Sequence, residues 1–171
     1  MIKVAIPTTG KEEYSAIKKV VYSGKFVSGK IVESFEKEYA KFIGTKYAVA
    51  LNSGTAALHA SLSALELKPG DEVIVPAMSF ISSATAILHQ GCTPIFCDVD
   101  IKNYCMDPKS FEKKISKKTK AVIPVHFAGS SCNMNEIIKI AKKYRIKIIE
   151  DCSQAHGTKL NGKLVGSFGN I

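Results

Sequence analysis

Five short apolar runs recur between helical patterns from residue 47 onward, and this alternation restricts the possible fold more than any other feature of the chain. The runs are YAVAL (47–51), EVIVP (72–76), PIFCDV (94–99), AVIPV (121–125) and IKIIE (146–150). Between most of them lie segments with helical spacing, TAALHASLSALEL, SSATAILHQ and NEIIKIAKKY. Strands that are apolar on both faces and joined by helical crossovers predict an α/β fold with a doubly wound, mostly parallel sheet. Such sheets bind ligands beyond the carboxyl ends of their strands. Chemistry is therefore expected in the residues that follow each strand.

The flanks differ from this core. KEEYSAIKKVVYS puts Tyr14, Ile17, Val20 and Val21 on one helical face, and IVESFEKEYAKFIG aligns Val32, Phe35, Tyr39 and Phe42, with Gly44 placed as a C-cap. We expect an N-terminal helical segment over 1–45 and an α/β domain over 46–171. Near the other end, Asn161-Gly162 between short alternating runs predicts a hairpin turn. A chain of 171 residues with 46% apolar content has enough material for one buried core.

Charge and cysteine content narrow the partners. The net charge of +9 is supplied almost wholly by lysine, Arg145 being the only arginine. Lysine lacks the planar fork that reads bases, and here it is spread along helical segments as solvated faces, so no nucleic-acid partner is expected. The diffuse positive field would still attract an anionic small molecule. Five cysteines without a C-x-x-C pair or zinc-like spacing read as reduced thiols. MIKVAIPTTGKEEYSAIKK has no leader-like apolar run, and no stretch is long enough to span a membrane. A cytoplasmic protein without a membrane partner is the expectation.

Several motifs have ordinary explanations. GKFVSGK (24–30) fits the spacing of a phosphate-binding P-loop, but Ile31 stands where a magnesium-binding hydroxyl is needed and a helix precedes it. Asp98 and Asp100 read as turn or capping acids. His59 and His89 fall inside helical patterns. Ser53-Gly54-Thr55 leaves one strand and enters a helix, which is either a phosphate seat or a plain N-cap. Phe80, just past the second run, either stacks on a planar ring or packs in the core. His126, after the fourth run, is a substrate-side candidate at the same mouth, or a histidine satisfied by local hydrogen bonds.

The fifth run ends on two acids in IKIIEDCSQAHG (146–157). A carboxylate there is costly to bury unless a charge meets it. Combined with a phosphate seat and a stacking aromatic at neighbouring strand ends, Asp151 implies a planar, phosphorylated ligand with a cationic nitrogen. Pyridoxal phosphate meets all three demands.

These motifs occur together, in order and over nearly the whole chain, in LNSGTAALHASLSALELKPGDEVIVPAMSFISSATAILHQGCTPIFCDVD and AVIPVHFAGSSCNMNEIIKIAKKYRIKIIEDCSQAHGTKLNGKLVGSFG. The chain resembles the N-terminal half of the DegT/DnrJ/EryC1/StrS sugar aminotransferases, which share the fold of aspartate aminotransferase. By that resemblance, Gly54 and Thr55 with the Ala56 amide hold the cofactor phosphate. Phe80 stacks on the pyridine ring, Asp151 pairs with its nitrogen and Gln154 reaches its hydroxyl. The segment from Phe26 to Lys30 lies near the sugar.

The implied activity moves an amino group from an amino acid donor such as glutamate to a nucleotide-linked keto-sugar, in polysaccharide biosynthesis, by a homodimer. The family's Schiff-base lysine lies beyond GSFG and past Ile171. Lys159 and Lys163 flank the expected turn and are poor substitutes. The resemblance therefore places no catalytic lysine within the chain, and the chain alone is expected not to complete a transamination. Two other readings stand beside this one: a non-catalytic remnant that binds cofactor or dimerises, and the family's dehydratase branch, where histidine replaces the lysine.

Overall fold

A computed structural model describes residues 7–171; residues 1–6 of the segment expected over 1–45, and of the stretch read for a leader, lie outside the described residues. The main sheet has four parallel strands in the order β2-β1-β3-β4. These are β1 (Glu72–Pro76), β2 (Thr93–Cys97), β3 (Thr119–Val122) and β4 (Lys147–Ile148). After Pro124, the extensions of β3 and of the edge strand β4 rejoin through a parallel bridge between Val125 and Asp151.

Side-chain alternation along the strands sorts the core into two layers. Val73 and Val75 of β1, with Ala121, Ile123 and Ile149, pack against Leu58 and Leu62 of α3 (Gly54–Ala64) and Ala86 and Ile87 of α4 (Ser82–His89). On the opposite face, Ile74, Val122 and Ile148 meet Phe111 of α5 (Pro108–Lys114) and Met134, Ile137 and Ile140 of α6 (Met134–Tyr144). The doubly wound sheet expected from the β-α rhythm is thus present, and burial of each such aliphatic side chain stabilises it by about 1.5–3 kcal/mol.

Local signals explain the crossover boundaries. Ser53 caps α3 by accepting the Ala56 N–H at 3.1 Å. Asp107 caps α5 through the Lys109 and Ser110 amides, with Pro108 at the first helical position. Asn161 and Gly162, with φ of 51° and 81°, turn the antiparallel pair β5 (Lys159–Leu160) and β6 (Lys163–Leu164). Asp98 and Asp100 act as local acceptors, for the Ser110 hydroxyl and the Lys102 amide. All five cysteines are free. No helix of the described residues is long and apolar enough to cross a membrane.

Two expectations are corrected. Residues 47–51 form no strand: the Ala50 N–H goes to the Glu36 carboxylate at 2.8 Å, the Thr45 hydroxyl donates to the Tyr47 carbonyl, and Tyr47, Val49 and Leu51 are exposed. Apolar alternation does not make a strand without a ladder partner. The fifth run is a strand only over Lys147–Ile148, continued by the isolated bridge at Asp151.

At the N-terminal side, α1 (Lys11–Ser23) and α2 (Lys30–Ile43) form as the sequence predicts, and Gly44 closes α2 in the left-handed region at φ 88°. Their apolar faces are nonetheless largely uncovered: α1 buries no residue, and Phe35 and Phe42 are half-exposed. Tyr39 ties α2 to the main body by a 2.7 Å hydrogen bond between its hydroxyl and His156 Nδ1.

Leu62 is fully buried and joins α3, which starts at the strand-end crevice, to the sheet. Leu62→Ala is expected to lower unfolding free energy by about 2–5 kcal/mol in urea titration, and a loss below about 1 kcal/mol would contradict this packing.

Candidate functional site

The carboxyl ends of the strands carry a small cleft of about 230 Å³. Its walls come from the first turn of α3 (Gly54, Thr55), the segment after β1 (Ser79, Phe80) and the segment after β4 (Asp151, Ser153, Gln154). Residues about 100 positions apart in sequence meet here because every crossover returns the chain to the same end of a parallel sheet. A larger groove of about 920 Å³ lies between α5 and α6. Its lining mixes lysines with acids, with Lys143 paired to Glu112 at 2.8 Å and Lys139 to Glu136 at 3.8 Å.

Asp151 is the buried charge of the cleft, 8% exposed. Its Oδ1 accepts the Ser153 N–H at 3.0 Å and the Ser153 hydroxyl at 2.6 Å. Oδ2 takes no hydrogen bond from the described residues and remains available to a donor in the cleft. Backbone bonds fix the residue on both sides, since the Asp151 N–H donates to Pro124 and its carbonyl accepts from the His126 N–H, both at 3.0 Å.

The remaining walls supply donors and an apolar surface. Gly54 and Thr55 open α3, where backbone N–H groups have no intrahelical acceptor and the helix dipole favours an anion. The Ala56 N–H is already taken by Ser53, so the plain N-cap is real at that amide. Phe80 is 68% exposed at the rim, which rules out the core alternative for it. Gln154 is exposed, and its Oε1 accepts the Ala128 N–H at 2.9 Å, so its amide NH2 is the free end.

Two candidates stand elsewhere. Phe26 lies 72% exposed in the connection between α1 and α2, outside the cleft. His126, read as a substrate-side residue, is corrected: its side chain is fully buried and both ring nitrogens are engaged. Nδ1 accepts the Cys132 N–H at 3.0 Å, so the ring proton sits on Nε2 and points at Glu150 Oε2, 3.1 Å away. The local-hydrogen-bond alternative describes His126. Lys159 and Lys163 are exposed at the hairpin, and Lys163 Nζ donates to the Ser167 carbonyl at 2.7 Å.

Glu150 received no role from sequence, and its neighbours explain why. The fully buried carboxylate accepts the Phe168 N–H at 2.6 Å, the Gly166 N–H at 2.9 Å, the Gly169 N–H and the His126 ring proton. Burial pushes its carboxyl up, but the hydrogen bonds from His126 and the Gly166, Gly169 and Phe168 amides outweigh burial and hold it below the ordinary carboxylate range. The Cys152 sulfur lies within 4.8 Å of the Glu150 and His126 ligand atoms. Burial, with Glu150 and Asp151 nearby, pushes that thiol up to about 12. A neutral thiol, a fully engaged carboxylate and a donating imidazole are a poor set for a metal ion.

Comparison with known proteins adds independent information. The model of the DegT/DnrJ/EryC1/StrS aminotransferase family matches residues 7–171. The dTDP-3-amino-3,6-dideoxy-alpha-D-galactopyranose transaminase of Aneurinibacillus thermoaerophilus is 44% identical over 160 residues, which are 94% of this chain and 44% of that protein. The solved aminotransferase from Psychrobacter cryohalolentis superposes with a TM-score of 0.92 at 39% identity, over 95% of this chain and 42% of its own. The E. coli GDP-4-keto-6-deoxy-D-mannose-3-dehydratase with bound hydrated PLP gives 0.91 at 35% identity, over 97% of this chain and 44% of its own. The chain spans less than half the length of these relatives.

The Glu150 clamp has a signed pH dependence. Because the folded carboxyl titrates below its ordinary value of 4.5, its contribution to stability is complete above that value and is lost as pH falls through the lower, folded one. The wild-type melting midpoint should therefore fall more steeply on acidification from about pH 6 to pH 3 than that of Glu150→Gln. Parallel curves for the two proteins would show that the carboxylate is not held in this way.

Proposed function

The chain belongs to the DegT/DnrJ/EryC1/StrS aminotransferase family, and from that premise we propose that its cleft is the cofactor-binding part of an enzyme that aminates a nucleotide-linked keto-sugar. The cofactor of the family is pyridoxal phosphate. The observation that carries the reading is the convergence on one cleft of an aspartate with a free oxygen, a helix N-terminus and an exposed aromatic rim.

The residues present fit the cofactor's three chemical parts. The free N–H groups of Gly54 and Thr55 would take the phosphate, with the Ala56 amide adding to them only if Ser53 releases it. Phe80 would lie against the ring, and the Gln154 amide would reach its hydroxyl. Oδ2 of Asp151, as a carboxylate, would hold a proton on the ring nitrogen while Oδ1 stays with Ser153. Bound in this way, pyridoxal phosphate supplies an electron sink for a carbanion at the substrate carbon. The task of this chain's residues is to fix the ring plane and keep that nitrogen protonated.

The finer assignments belong to the same reading. The amino donor is an amino acid such as glutamate, and the acceptor is a nucleotide-sugar used in polysaccharide biosynthesis. The enzyme acts as a cytoplasmic homodimer without nucleic-acid or membrane partners, and the segment around Phe26 serves the sugar. The division into an N-terminal helical segment over 1–45, of which residues 7–45 are described, and part of the cofactor-binding α/β domain over 46–171 belongs to the same reading. A dehydratase is the second reading, favoured by the likeness to the E. coli dehydratase at a TM-score of 0.91.

Asp151→Ala should weaken binding of added pyridoxal phosphate about tenfold to hundredfold, followed by visible absorption, as expected for loss of a charged hydrogen bond. Phe80→Ala should weaken it less, about three- to tenfold. A folded Asp151→Ala protein that binds like wild type would remove the assignment of the cleft. Between the two activities, product analysis of the enzyme with glutamate and a nucleotide-linked keto-sugar decides. An amino-sugar supports the transaminase, and a deoxy-sugar without nitrogen the dehydratase.

A further inference from the structure

Glu150 and Asp151 are neighbours on one extended segment, so their side chains point to opposite faces of the sheet. The core layers follow the same alternation: Ile149 packs with α3 and α4, and Ile148 with α5 and α6. Asp151 accordingly faces the cleft at the start of α3. Glu150 faces the other layer, where His126, Cys132 and the turn at 166–169 lie.

The four donors on Glu150 come from two separate pieces of chain. Gly166, Phe168 and Gly169 belong to the segment after the hairpin, and His126 follows β3. His126 is also bonded to the cleft side, since its backbone N–H donates to the Asp151 carbonyl at 3.0 Å and the preceding Val125 lines the cleft. The ring has one orientation available, because its Nδ1 must accept from the Cys132 amide. A continuous hydrogen-bonded path therefore runs from the 166–169 turn through Glu150 and His126 to the backbone of Asp151.

We propose that Glu150 is a positioning residue for the cofactor cleft, an ionised carboxylate that holds the 166–169 turn and the His126 ring in place and thereby fixes the strand end that presents Asp151. The proposal rests on the pyridoxal phosphate reading of the cleft. It requires the carboxylate and not merely its shape. Two ionised oxygens can accept all four donors, whereas a glutamine offers one acceptor oxygen and turns an NH2 towards donors. Reversing the His126 tautomer to accept that NH2 would set a ring N–H against the Cys132 N–H.

The path also makes the turn sensitive to the cleft, because coupling between two sites is reciprocal. Gly166 and Gly169 leave the turn little room to shift. A Cβ at Gly169 would stand 3.0 Å from the Ile148 carbonyl oxygen, and one at Gly166, where φ is +86°, would stand 3.3 Å from Cys152 Sγ. The turn then has one seat, set by Glu150.

The test compares Glu150→Gln, Asp151→Ala and wild type, each titrated with pyridoxal phosphate. Glu150→Gln should bind at least about fivefold more weakly and show a visible band displaced in the direction seen for Asp151→Ala, although residue 150 does not line the cleft. A merely structural glutamate would lower the melting midpoint and leave the band unchanged, and that result overturns the proposal. If Asp151→Ala is impaired and Glu150→Gln is not, the cofactor reading survives and only the positioning role fails. If Asp151→Ala binds like wild type, the cofactor reading itself fails. Should Glu150→Gln not fold, hydrogen exchange on the wild-type protein decides. Pyridoxal phosphate should slow exchange of the Gly166, Phe168 and Gly169 amides, and binding that leaves all three unchanged overturns the proposal.

Discussion

A carboxylate buried without a cation beside it is the constraint around which this end of the molecule is arranged. Among the described residues Glu150 has no lysine or arginine partner, and its charge is met by three backbone N–H groups and one imidazole N–H. Charge-assisted hydrogen bonds of this kind offset a desolvation cost that would otherwise neutralise the group. Because the donors come from the 166–169 turn and from His126, their geometry is dictated by one oxygen pair. The corner after β3, the bridge at Asp151 and the returning chain are all fixed from that point.

What makes the arrangement useful is the period of the strand. Two acids side by side are divided between two layers, so one can be satisfied internally while the other keeps an oxygen free. Glu150 serves the fold and Asp151 faces the cleft. The same division holds one crossover earlier, where Val125 lines the cleft and His126 turns inward. The parallel sheet brings α3 and the segment after β1 to this end as well. A cleft suited to a phosphorylated, planar, cationic ligand follows from topology and from one residue of alternation.

Legibility in the sequence followed the range of the interactions involved. The helix caps at Gly44 and Ser53 and the Asn161-Gly162 turn depend on neighbours a few positions away, and each was readable; the strand EVIVP was readable because burial on both faces leaves an unbroken apolar run. The run YAVAL was misread because a strand needs a partner, and no apolar pattern reveals its absence. In the cleft, Phe80 and Asp151 were readable from position, as residues following strand ends; Gly54 was readable as the start of a helix, although the run before it forms no strand, and Gln154 only through the family resemblance. Ser79 and Ser82 of its lining were not, and Ser153 carried only the faint signal of a hydroxyl two residues after an aspartate. Glu150 was opaque for a physical reason: its partners lie 16 to 24 positions away in the chain, and three of the four are backbone amides, which leave no mark on residue type. For His126, local hydrogen bonding was one of the two readings left open, and Cys132 six positions on supplies it.

The cofactor role of the cleft stands or falls on what Asp151 does to the bound ring. Pyridoxal phosphate labelled with nitrogen-15 in its ring, bound to the protein and observed by NMR, reports the protonation of that nitrogen directly. A carboxylate at Asp151 should keep the ring nitrogen protonated at neutral pH in the wild type, and that proton should be lost in Asp151→Ala. An unprotonated nitrogen in the wild-type protein, or one unaffected by removing the carboxylate, would contradict that role.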